Sequence, residues 1–100
     1  MTGDLILPLK AVYFDQIKAG TKLCEYRLLT DHWTKRLVGR EYRHVVLLRG
    51  YPKGGGVEGV TRLTRAWQGY TVSPLMHEHF GPDPVTVYAI DLTTAAEVQA

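Results

Sequence analysis

The sequence predicts a small α+β domain, and three observations carry that reading. Val45-Val46-Leu47-Leu48 is a continuous apolar run, β-branched at its start, with the character of a central strand covered on both faces. Between Lys10 and Ala19 the apolar residues Ala11, Phe14 and Ile17, with Val12 and Tyr13 beside them, recur at helical spacing, while Lys10, Asp15, Gln16 and Lys18 can face water. The composition, 45% hydrophobic and 22% charged over 100 residues, suits one domain with one core rather than a disordered or disulfide-built chain.

Leu5-Ile6-Leu7-Pro8-Leu9 reads as a buried first strand that leaves the sheet at Pro8. The first helix follows and ends at Gly20, a favourable residue for the left-handed turn past a helix. Cys24–Leu29 reads as a second strand. Thr30-Asp31 then supplies a cap for a short helix holding Trp33, Arg36, Leu37 and Val38, stopped at Gly39. Tyr42–Arg49 contains the central apolar strand, and Val57–Trp67 returns as its antiparallel partner. The basic loop between them contains Gly54-Gly55-Gly56, which should keep its tip mobile. Gln68–Ser73 reads as a turn region, Pro74–Phe80 as one helical turn or a crossover, and Val85–Leu92 as the closing strand. This makes residues 1–92 one domain and 93–100 a frayed C-terminal tail. Five to six strands with two short helices in this order are expected to curl into a barrel.

The formal charge of +2 is mild, yet it leaves room for a positive surface that polyanions would feel. A lone cysteine, Cys24, excludes an internal disulfide and a cysteine-rich zinc site, and fits a reducing cytosol. The N-terminus lacks a basic segment followed by a long apolar one. No apolar run approaches the ~18 residues of a membrane span. The expectation is a soluble, cytoplasmic protein, a monomer or weak dimer, with no cofactor.

The most function-like stretch is Gly20-Thr21-Lys22-Leu23-Cys24-Glu25-Tyr26-Arg27, where an ammonium, a carboxylate, a phenol and a guanidinium crowd together between apolar flanks. On a strand, Glu25 and Arg27 share one face and Cys24, Tyr26 and Leu28 the other, which puts Tyr26 in the core. The pattern Gly20-x-Lys22-x-x-x-x-Arg27 after a short helix resembles the signature of the ASCH domain, a branch of the PUA-like β-barrels. The placement of the apolar strands extends the likeness over most of the chain. The resemblance implies a pocket at the barrel's side or mouth that handles RNA, single-stranded DNA or a modified nucleoside. Some members are amidohydrolases that deacetylate N4-acetylcytidine, and others are ribonucleases or RNA binders. In the amidohydrolases the motif lysine, here Lys22, acts as nucleophile or base. A threonine three residues later assists, where this chain has Glu25, and a later glutamate completes the site, for which this chain offers Glu78.

Replacing threonine by Glu25 has a physical consequence, because a neighbouring carboxylate favours the charged ammonium and raises the lysine pKa. Catalysis would then need Arg27 to engage Glu25 and burial to desolvate Lys22. Without both, the site suits recognition better than nucleophilic attack. Alternatively, Glu25 and Arg27 form an exposed cross-strand pair worth under ~1 kcal/mol. For binding, Tyr51 beside the glycine loop is the best stacking candidate, ahead of Trp33 and a core Trp67. Arg49, Lys53, Arg62 and Arg65 could touch phosphates along the hairpin. His77 and His79 flank Glu78 and could line the pocket opposite Lys22, or serve a ribonuclease. Two histidines without a third ligand do not make a metal site. Cys24 is either a small core residue or a reactive thiolate beside Lys22.

Overall fold

The computed structural model describes residues 3–75 and 81–95. In chain order these form β1 (Asp4–Leu9), α1 (Ala11–Ala19), β2 (Cys24–Leu28), α2 (Asp31–Leu37), β3 (His44–Arg49), a single 3-10 turn (Lys53–Gly55), β4 (Arg62–Ala66), β5 (Tyr70–Leu75) and β6 (Val85–Asp91). The strands make two three-stranded sheets, ordered β1-β3-β4 and β2-β6-β5. The chain is therefore α+β as expected.

The first sheet explains the apolar run. β3 lies between a parallel β1 and an antiparallel β4, and Val45, Val46 and Leu47 are all buried. A parallel pair needs a long crossover, here α1, β2 and α2 together. β1 is buried on one face alone: Leu5, Leu7 and Leu9 point inward while Ile6 is 47% exposed. The strand does not leave the sheet at Pro8 but continues through it to Leu9. An edge strand tolerates proline because one of its sides has no ladder to break.

The second sheet contains the largest departure from expectation. Tyr70–Leu75, read from sequence as a turn running into a crossover, is strand β5, paired antiparallel with β6 from Tyr70 opposite Ile90 to Leu75 opposite Val85. Pro74 disguised the segment, and its edge position again accommodates the ring. The remainder of the predicted crossover, residues 76–80, lies outside the described residues.

Inner faces of both sheets, with α1 and α2, enclose a core of Leu5, Leu7, Leu9, Phe14, Ile17, Leu37, Val45, Leu47, Leu63, Tyr88, Ile90 and Leu92. The sheets meet at one corner, where the Ala66 amide donates to the Thr94 carbonyl (3.0 Å) and Arg65 bridges Ala95. Among the described residues no further ladder joins them, so the expected closed barrel is not seen among these residues. That corner also ties down Thr94 and Ala95, the beginning of the expected tail. The glycine loop is a defined turn, with Gly54, Gly55 and Gly56 all at positive φ. A Cβ on Gly56 would meet Pro52 and Thr61 at 3.1 Å.

Leu47→Ala should cost about 2–5 kcal/mol, the range for emptying a filled core site. Ile6→Ala on the outer face of β1 should cost under ~1 kcal/mol. Chemical denaturation of both variants checks this, and equal losses would show that β1 is not one-sided.

Candidate functional site

The site begins where α1 stops. Gly20 adopts φ 83°, and the Gln16 carbonyl accepts from the Thr21 amide (3.0 Å), the Lys22 amide (3.2 Å) and the Thr21 hydroxyl (3.1 Å). An L side chain would be strained at that angle, so the glycine sets the direction in which Lys22 leaves the helix. The Leu92 amide then donates to the Leu23 carbonyl (3.0 Å), seating the chain beside β6.

Register decides where the charges point. Glu25 lies opposite Ile90 and Arg27 opposite Tyr88, and directly paired residues share a sheet face. Ile90 and Tyr88 belong to the core, so Glu25 and Arg27 face inward. Glu25 is 4% exposed and is the one buried charged residue among the described residues. Such burial is costly unless the carboxylate is paired. Arg27 Nη1 lies 2.9 Å from Oε2, and Lys22 Nζ lies 3.8 Å from Oε1. Both are ion pairs, the first in close contact and the second too long for a direct hydrogen bond. The alternative of an exposed cross-strand pair is thereby excluded.

Aromatic rings support both cations. Lys22 Nζ is 4.2 Å from the Tyr26 ring centre and 5.5 Å from that of Tyr13. The Arg27 guanidinium lies 4.9 Å from the centre of Trp33, and Arg36 lies 5.0 Å from the same ring. Trp33 is placed by α2: its amide donates to the capping Thr30 hydroxyl (3.3 Å), and Thr34 and Tyr88 share a 2.7 Å hydroxyl contact that fastens the helix to β6.

Burial pushes the Lys22 pKa down from its ordinary value and outweighs the opposing pull of Glu25. Both conditions set by the sequence argument, engagement of Glu25 by Arg27 and desolvation of Lys22, are met. Burial raises the Tyr26 phenol. It likewise raises the Cys24 thiol, with Asp91 adding to the effect, which favours the neutral thiol over a thiolate.

The other predicted site residues lie elsewhere. Tyr51 is 90% exposed and borders a pocket of about 300 Å³ shared with Pro8, Leu9, Lys10 and Gly50. That pocket adjoins the N-terminal end of α1 and Lys22 follows its C-terminal end, a separation of about 13 Å along the helix at ~1.5 Å per residue. Arg49 makes two hydrogen bonds to Asp15 (3.1 and 3.3 Å), which hold the Asp15 carboxyl below its ordinary value. Arg62 pairs with Glu58 at 3.6 Å, Lys53 is exposed on the turn, and Arg65 is half-buried on β4. His77, Glu78 and His79 lie outside the described residues. Trp67 packs edge-on against Tyr42 at the core margin, as expected.

Two features differ from, or escape, the sequence reading. Tyr26 is a half-buried support for Lys22 and not a core residue, because its face of β2 turns away from the core. Arg36 was legible only as part of a helix, although its spacing of three from Trp33 puts the two side chains on one helical face.

Removing one partner of a buried pair leaves the other charge uncompensated. Arg27→Met should therefore destabilise the fold by about 2–3 kcal/mol, less than the ~3–5 of a fully buried pair because Arg27 keeps part of its surface in water. Adding Glu25→Gln should restore part of that loss in a double-mutant cycle. Strict additivity of the two changes in denaturation experiments would show that they are not coupled.

No protein-family model, curated protein or solved structure matches the chain.

Proposed function

We propose that the chain recognises a nucleobase, free or within a nucleic acid, at the Lys22–Glu25–Arg27 cluster, on a scaffold related to the PUA-like barrels. The observation that carries this reading is the buried Glu25 carboxylate held between two cations. Burying an ionised group and supporting its partners on three aromatic rings is costly for a fold that could place an apolar residue there, and such perturbed clusters concentrate at functional sites. Glu25 Oε1 beside Lys22 Nζ presents an acceptor next to a donor. The edge of cytosine offers the complement, an amino donor beside acceptors, and carboxylates accept from that amino group. The positive balance of the chain suits a polyanionic partner.

A second reading, hydrolysis of an N4-acylated cytosine, is favoured by the lowered pKa of Lys22. A larger share of free amine near neutral pH is what a lysine nucleophile or base needs. The amine is the active form, so turnover should rise with pH along a limb centred below the ordinary value of 10.5.

Calorimetric titration of the chain with cytidine, N4-acetylcytidine and uridine, paired with mass-spectrometric detection of deacetylation, tests both readings. Binding of the cytidines that weakens about tenfold or more in Glu25→Gln supports recognition. Turnover abolished by Lys22→Ala in a folded protein supports hydrolysis. Absence of binding to any nucleoside, at low salt, would sink the recognition reading. In a direct titration of Lys22 by NMR, Glu25→Gln should move the pKa further down, because the carboxylate that raises it is gone. An upward move would contradict the assigned balance of burial and charge.

A further inference from the structure

We propose that Arg36 and Arg27, gathered on Trp33, form a phosphate subsite, so that the ligand of this site is a nucleotide or a phosphodiester chain and not a free base. The inference rests on the nucleobase reading of the Lys22–Arg27 cluster and extends it to a residue, Arg36, that this reading does not use. Glu25 serves two cations, Lys22 and Arg27, and a third, Arg36, joins Arg27 on the Trp33 ring. The Arg36 guanidinium makes no ion pair or hydrogen bond among the described residues, and its contact is the Trp33 ring at 5.0 Å. Arg27 spends Nη1 on Glu25, while its Nε is buried and has no acceptor among the described residues.

Two guanidinium groups, each within 5.0 Å of the centre of one indole, are like charges that repel, and Lys35 on α2 with Arg40 after it add to the positive side, against Asp31 on that helix and Glu41 after it. A phosphate relieves this repulsion, and it matches the planar forks of arginine better than any single point charge would. The indole holds both forks at defined positions, so little side-chain freedom is lost when the oxygens arrive. The contact chain Glu25–Arg27–Trp33–Arg36 thus runs from a base-reading carboxylate to an unneutralised cation.

The test is calorimetric titration of wild type, Arg36→Gln and Arg36→Lys with cytidine, cytidine 5′-monophosphate and the dinucleotide CpC at low salt. Wild type should bind a phosphate-bearing ligand about tenfold or more tighter than cytidine, and this increment should vanish in Arg36→Gln with cytidine affinity unchanged. Arg36→Lys retains a cation over Trp33 without the fork, and should keep the stability of the fold while recovering only part of the increment. Tighter binding of the monophosphate than of CpC assigns the subsite to a terminal phosphate, and the reverse order assigns it to a chain. Equal affinity of cytidine and both phosphate ligands overturns the inference and leaves the base reading standing, as does an increment that survives Arg36→Gln. Binding of phosphate ligands alone, lost in Arg36→Gln, supports the subsite and removes the base reading. Absence of binding by all three ligands overturns both.

Discussion

The Glu25 carboxylate, turned inward on the face of β2 that also carries Arg27, is the constraint around which this end of the molecule is arranged. A charge in that position is tolerated only if opposite charge reaches it from within the fold. Arg27 comes from the same strand two residues on, and Lys22 from the turn that Gly20 permits. Each cation in turn rests on aromatic rings, Trp33 for Arg27 and Tyr26 with Tyr13 for Lys22. The capping of α2 by Thr30 and its attachment to β6 through Thr34 and Tyr88 are therefore part of the support of one carboxylate.

Two sheets sharing a core create the setting for that arrangement. β6 contributes Tyr88 and Ile90 to the core directly beneath Arg27 and Glu25, so the charged pair borders the apolar interior without lying in its centre. The result desolvates Lys22 enough to lower its pKa while keeping a carboxylate within 3.8 Å. Burial and charge act on the lysine in opposite directions, and burial wins.

The helix α1 separates the cluster from the pocket beside Tyr51. Residues grouped by sequence reasoning into a single ligand surface therefore divide between the two ends of one helix. Arg49 and Arg62 have carboxylate partners of their own, whereas the guanidinium of Arg36 has none among the described residues. Lys53 and Arg65 on the hairpin likewise have no ion-pair partner among the described residues, so unneutralised positive charge occurs at both ends of the fold.

Local chemistry was legible before the structure. The helical spacing of Phe14 and Ile17, the stop at Gly20, the cap at Thr30, the apolar run of β3 and the shared face of Glu25 and Arg27 all follow from interactions among residues close in sequence. What sequence patterning could not decide depends on partners far along the chain. Pro8 and Pro74 read as strand breakers until their strands are seen to occupy sheet edges, where a missing amide breaks no ladder. Tyr26 reads as core until register turns its side of β2 away. The direction of the Lys22 pKa follows from how much water the surrounding elements exclude, and the meeting of Arg27 with Arg36 on one indole follows from where α2 is fastened. Alternation along a strand fixes which residues share a face, but only the packing of the sheets decides which face is inside.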